Sequence, residues 1–262
     1  MSDEEFILEV SALTKRFGGI VAVAGVNIKV KKGEVVSIIG PNGAGKTTVF
    51  NMLTGIYDVD EGTIRFKGKE IQNENPLHIV DAGISRTFQN IRLFGDLRVI
   101  ENVMVGAHTK TDYGFFDSVF RTPKFKKEED DKVLQAVKLL RSIGLDHRRD
   151  DYAANLPYGE QRKLEIARAI ATGAELLLLD EPAAGMNPQE SADLMNFIRS
   201  LKERGYTVLM IEHDMSVVMN VSDRIYVIDH GRPIADGLPE DIANNQVVID
   251  AYLGGVRNDA QC

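Results

Sequence analysis

Gly40-Pro41-Asn42-Gly43-Ala44-Gly45-Lys46-Thr47 constrains this chain more than any other stretch, because it has the form G-x-x-x-x-G-K-[ST]. It follows an apolar run, Val35–Ile39, that reads as a strand. It leads into a stretch from Lys46 to about Thr54 that reads as a helix. Strand, loop and helix in that order are the context in which such a loop wraps a phosphate chain. The glycines let the backbone turn tightly and aim its amides inward, and the helix adds the positive end of its dipole. In that geometry Lys46 reaches the terminal phosphates and the Thr47 hydroxyl completes a Mg²⁺ shell. The sequence therefore predicts a nucleotide held by Asn42, Gly43, Ala44, Gly45, Lys46, Thr47 and Thr48.

Around the loop, short β-branched runs punctuate both ends of the chain. The first half offers 6–10, 21–30, 35–39 and 63–66, and the second 176–179, 207–211, 224–228 and 232–235. Those at 35–39, 176–179 and 207–211 are almost continuously apolar, as expected of strands covered on both faces. Helical patterns alternate with the later runs, at 159–172, 188–204 and 215–221. This alternation predicts a largely parallel sheet with nucleotide chemistry at its strand ends. Between about Asn90 and Leu156 the texture changes to helical segments such as 127–143, a break at Thr122-Pro123, and aromatics at Phe115, Phe116, Phe120 and Phe125. This region reads as an inserted helical lobe. Its basic cluster, Arg121, Lys124, Lys126 and Lys127, runs straight into acidic 128–131 and reads as a solvated, charge-mixed helix start, with a partner-docking patch as the alternative.

Composition narrows the classes. A net charge of −8 over 262 residues disfavours sequence-independent nucleic-acid binding. The single cysteine, Cys262, permits no disulfide within the chain, which points to a reducing compartment. No apolar run approaches the ~18 residues that span a bilayer, and the acidic start lacks the basic region of a signal peptide. Any service to a membrane is therefore expected from its cytoplasmic face, through partners.

The second half identifies the chemistry. Leu176–Leu179 ends in Asp180, a carboxylate placed to orient Mg²⁺, and Glu181 beside it could polarise a water aimed at the γ-phosphate. Ile211-Glu212-His213-Asp214 ends another apolar strand, and His213 would lie at the same sheet edge, within reach of that phosphate. His78, His108, His147 and His230 fall in no comparable constellation.

Taken together, the phosphate loop, Thr87-Phe88-Gln89, Leu156–Gln161, Leu176–Pro182 and His213 resemble the ATP-binding-cassette ATPases in order and spacing. The resemblance runs from about Phe6 to Tyr252. It implies an α/β P-loop ATPase core with a mostly parallel sheet, an antiparallel N-terminal β subdomain and an inserted α-helical subdomain. The expected organisation is 1–89 and 166–262 for the core, with 90–165 as the helical and signature subdomain. Carried across by resemblance, Phe17 would stack on adenine, and Gln89 would touch Mg²⁺ or the attacking water. Ala184–Asn187 would meet an opposing subunit, with Pro157, Tyr158, Gly159 and Glu160 facing that partner's ATP. Further stretches, among them Arg86–Gln89, Leu97–Val103 and Glu181–Pro188, are similar to one branch of the family, the ATPase subunits of branched-chain amino acid importers. The aromatic, basic stretch 113–127 is similar to an insertion of that branch. This implies a second ATPase subunit, two membrane-spanning permeases, and a binding protein outside the membrane that never touches this chain. Cargo is read by those partners, so the ATP site itself does not choose between amino acids, urea or an exported lipid.

The chain departs from the family at its signature loop, usually L-S-G-G-Q, which here reads Leu156-Pro157-Tyr158-Gly159-Glu160. Pro157 has neither hydroxyl nor amide hydrogen, so two donors are missing. The family's aspartate in the loop after Glu181 is replaced by Asn187. The expectation is an asymmetric heterodimer, with a self-dimer as the alternative, whose stronger site is built on this chain's own phosphate loop.

Overall fold

The computed structural model describes residues 6–107, 120 and 122–258. Tyr113, Phe115, Phe116 and Arg121 of the aromatic, basic stretch lie outside them, as do His108 and Cys262. The chain divides into two compact units, Met1–Gln89 with Leu176–Cys262, and Asn90–Glu175.

The first unit carries two sheets. In one, β1 (Phe6–Phe17) pairs antiparallel with β2 (Ile20–Lys31) and with β4 (Glu61–Phe66), and the two-residue β5 (Lys69–Glu70) closes the edge. The order is β2-β1-β4-β5. A bulge lets β1 outrun its expected end at Val10: Ala12 takes φ 51° and the register shifts between Val10 and Leu13. Leu8, Val10, Leu13, Ile28, Val30 and Ile64 face inward and are fully buried, while intervening positions stay wet.

The other sheet has the order β10-β9-β3-β8-β7-β6. Its centre is β3 (Val35–Ile39), β8 (Thr207–Ile211) and β7 (Leu176–Asp180), each buried at every residue, as their continuous apolar runs predict. These pair in parallel, as do β9 (Arg224–Asp229) with β3 and β6 (Ile84–Arg86) with β7, and only edge strand β10 (Arg232–Gly237) is antiparallel. Parallel strands need crossovers, and helices supply them. They are α1 (Lys46–Leu53), α6 (Pro188–Glu203) and α7 (Met215–Val221), with the short α2 (Pro76–Ala82) before β6 and α8 (Pro239–Ala243) and α9 (Gln246–Asn258) after β10. Inward faces of both sheets share one apolar core with Val49, Phe50 and Leu53 of α1.

Helix α6 shows why the loop before it tolerates asparagine. Asn187 Oδ1 accepts the Glu190 amide at 3.0 Å, and Glu190 Oε2 accepts the Asn187 amide at 3.0 Å, forming a closed capping box.

The second unit is helical: α3 (Val99–Ala107), α4 (Pro123–Ser142) and α5 (Tyr158–Ala171). Helix α4 begins four residues before the sequence reading placed it, because Thr122 caps it by accepting the Phe125 amide and Pro123 takes the first turn. Helix α5 lies wholly in this unit, which runs to Glu175 rather than ending at 165. Inside it, Arg162 and Glu165 are ion-paired at 2.8 Å with side chains 0% and 2% exposed. Glu165 also accepts the Arg92 amide at 3.0 Å.

Candidate nucleotide site

Parallel register brings the functional side chains to one edge of the six-stranded sheet. Ile38 of β3 and Asp180 of β7 both pair with Ile211 of β8, and Arg86 of β6 pairs with Leu178. Gly40, Asp180, Glu212 and Thr87 therefore all lie where the parallel strands end, the position at which open α/β sheets bind ligands.

The phosphate loop is close-packed against its own sheet. Gly40 has φ 150°, and a Cβ there would lie 1.9 Å from the Ile228 carbonyl oxygen. Gly45, the residue before α1, has φ 99°, and its Cβ would lie 2.6 Å from the Ala22 carbonyl oxygen of β2. Only glycine fits either place, so backbone rather than side chain faces the cleft. That cleft, about 460 Å³, is lined by Asn42 through Thr48, Ile20–Ala22, Glu181, His230 and Gly231. Lys46 is buried and donates to the carbonyls of Gly40 at 2.7 Å and Pro41 at 2.8 Å. Burial pulls its ammonium pKa down, partly opposed by the charges of Glu181 and Asp180.

Asp180 is 6% exposed, and its Oδ2 accepts Arg86 Nη2 at 2.6 Å. Next to it, Glu181 is held at φ 45°, a strained value for a residue with a Cβ, while its amide donates to Ile211 O at 2.9 Å. This twist at the strand end turns the carboxylate so that Oε2 accepts Gln89 Nε2 at 2.8 Å. His213 Nδ1 stands 3.6 Å from the same oxygen, with its side chain half exposed. Gln89, Glu181 and His213 thus form one cluster.

Beneath them lies Glu212, with no exposed surface. Its carboxylate accepts the amides of Ala183 at 2.8 Å, His213 at 2.9 Å and Asp214 at 3.4 Å. Burial raises its pKa, and these three amides oppose the rise. Glu212 therefore pins both the loop after Glu181 and the turn that presents His213. Asp214 caps α7 by accepting the amides of Ser216 and Val217, and hydrogen bonding to Ser216 holds its pKa low.

Not every predicted residue lines the cleft. Phe17 ends β1 with 43% of its surface exposed and packs edge-on against Tyr57, with ring centroids 5.2 Å apart. Ile20 and Val21 form the apolar wall of the cleft. In the second unit, Pro157 precedes α5 without any side-chain cap, and the helix start is braced by Gln161 Nε2 on the Leu156 carbonyl at 2.9 Å. Tyr158 is 39% exposed, and Glu160 lies 3.4 Å from Arg148 Nε.

Sequence reasoning missed four contributors. His230, set aside above, lines the cleft from a turn at φ 46°. Glu212 had a usable signal: an acid directly after a continuous apolar run, as Asp180 follows Leu176–Leu179. Arg86 and Asn51, bonded to each other at 2.6 Å, had none, since the partners lie far apart in the chain. Among the described residues, no group of three or more His, Cys, Asp or Glu side chains forms a metal cage.

Comparison with known proteins agrees with this geometry. Residues 23–184 match the ABC transporter family, and residues 232–258 match the family described as branched-chain amino acid ATP-binding cassette transporter. The chain is 51% identical over 249 residues to the high-affinity branched-chain amino acid transport ATP-binding protein BraF of Pseudomonas aeruginosa, covering 95% of this chain and 98% of that protein. It is 47% identical, with the same coverage, to the LivG protein of Escherichia coli, which carries the same description. Among solved structures, the ADP conformation of MJ1267, an ATP-binding cassette of an ABC transporter, superposes with a TM-score of 0.83. The two are 36% identical, and the match covers 95% of this chain and 99% of that one.

Proposed function

The chain belongs to the ABC transporter family of ATP-hydrolysing cassettes, and from that premise we propose that it powers an importer of branched-chain amino acids. The observation that carries the chemistry is the cluster at the strand ends, where Glu181, Gln89 and His213 converge beside buried Asp180. The cargo rests on the relatives' described function and on the match of residues 232–258.

ATP would lie with its phosphates on the amides of 42–48, and Lys46 would exchange the Gly40 and Pro41 carbonyls for phosphate oxygens. Thr47, Asp180 and Gln89 would hold Mg²⁺, which would supply positive charge that orients and neutralises the phosphates. Glu181 would position and polarise the attacking water, with Gln89 fixing the direction of its carboxylate. His213 would donate to the γ-phosphate from the same cluster.

The chain acts with partners at the cytoplasmic face of the membrane: a second ATPase subunit, two permeases, and through them an external binding protein. No helix among the described residues is long and apolar enough to cross a membrane. Pro157 supports an asymmetric pair. A missing donor at a site of developing charge costs about 2.7–4 kcal/mol, so this chain would serve its partner's ATP less well than the partner serves this one.

Uptake of labelled leucine tests the reading, in cells deprived of this chain and then supplied with wild type or Lys46→Ala. Recovery with wild type alone supports it, and undiminished uptake without the chain contradicts it.

A further inference from the structure

Arg86 ties together pieces of the site that are distant in sequence. Its Nη2 donates to Asp180 Oδ2 at 2.6 Å, and its Nη1 donates to Asn51 Oδ1 at 2.6 Å. Asn51 lies on α1, the helix that starts at Lys46 and Thr47. The guanidinium carbon stands 5.6 Å from the Phe50 ring centre and 5.3 Å from that of Phe88, the residue before Gln89. The Arg86 and Asp180 side chains are 7% and 8% exposed. Arg86 Nε is buried with no acceptor among the described residues, so the fold tolerates an unmet donor to keep both Nη bonds.

A solvated surface pair would contribute little, but a buried one broken on one side leaves an uncompensated charge. Asp180 without Arg86 would turn away from its present orientation and be lost as a metal ligand. Carboxylates that bind metals depend on the hydrogen bonds that orient them, and removing such a partner typically costs about 10–100-fold in metal affinity.

We infer that Arg86 is a positioning residue for the metal site, fixing one oxygen of Asp180 so that the other faces Mg²⁺, and locking that carboxylate to the phosphate-loop helix. The inference rests on the proposed role of Asp180 as the Mg²⁺ carboxylate. Arg86 is not among the residues that line the cleft, and it acts through Asp180. A lysine in its place can keep one ion pair but not the planar, two-pronged bridge to Asn51.

The test is calorimetric titration of ATP into the full-length protein, once with Mg²⁺ and once with EDTA. By linkage, the ratio of the two affinities reports metal binding in the nucleotide complex. Arg86→Gln should lower that ratio by about tenfold or more, with the EDTA affinity within about twofold of wild type. Arg86→Lys should fall between. Asp180→Asn is the control. If it loses the Mg²⁺ dependence while Arg86→Gln keeps it, Arg86 is only structural and the inference is overturned. If Asp180→Asn keeps the dependence too, the role of Asp180 itself is wrong and the inference falls with it. Should Arg86→Gln fail to fold, Arg86→Lys carries the test, and a ratio equal to wild type overturns it.

Discussion

Replacing Glu181 with glutamine should stop ATP turnover while leaving fold and nucleotide binding in place. The two side chains are isosteric, and the glutamine oxygen can still accept Gln89 Nε2, now at 2.8 Å. The strained backbone at φ 45° is common to both, so the strain cancels. Stability should change by no more than about 0.5 kcal/mol, the range for substitutions that break no named interaction. What disappears is the carboxylate's capacity to draw a proton from water. Groups of this kind contribute about 10²–10⁴ in rate, or roughly 2.7–5.4 kcal/mol at 1.36 kcal/mol per decade. Removing a negative charge near the phosphates should also leave ATP affinity unchanged or higher. The assay is phosphate release under single turnover, with nucleotide affinity and a thermal melt on the same preparation. A fall of less than tenfold, or one matched by lost affinity or a lower melting point, would refute the role given to Glu181.

Gly40→Ala should abolish nucleotide binding and lower the melting point, because its Cβ would lie 1.9 Å from the backbone oxygen of Ile228, which cannot yield without moving β9. Circular dichroism with ATP titration checks both. Glu212→Gln should destabilise by about 1–3 kcal/mol at acid pH, since its amide turns a donor toward an amide hydrogen of Ala183 or His213. That gap should narrow as pH rises. The folded pKa of Glu212 lies above its ordinary 4.5, so wild type binds an extra proton when folded and loses stability from there up through the raised value. Urea melts from pH 4 to 8 would show the convergence, and a gap that widens with pH would reverse the sign. Asn187→Ala should cost about 1 kcal/mol through the lost cap on α6, whereas Asn187→Asp should not, as equilibrium unfolding of the two would show.

Much of the fold was legible because burial on both faces writes itself into sequence. Strands β3 and β8 begin and end where their apolar runs do, and α7 begins where Asp214 offers a cap. Strand β6 was not legible, since three residues carry no usable period. The sequence reading also ended β1 too early, because a bulge interrupts its alternation at Ala12. Short-range chemistry was readable at the site: the phosphate loop, the acids ending β7 and the histidine after β8 each declare themselves within a few residues. Arg86 did not, because its meaning depends on Asp180, 94 positions away, and on a pairing of β6 with β7 that no local pattern announces. His230 was passed over for the same reason: the β9–β10 turn, not its neighbours in sequence, carries it to the cleft.

The most direct measurement reconstitutes this chain with the second ATPase subunit and the permeases in liposomes and follows leucine accumulation and phosphate release together. Both should require the chain, phosphate release should rise with loaded binding protein, and Glu181→Gln should abolish both. Leucine accumulation that persists with Glu181→Gln, or ATP hydrolysis indifferent to leucine, would contradict the account.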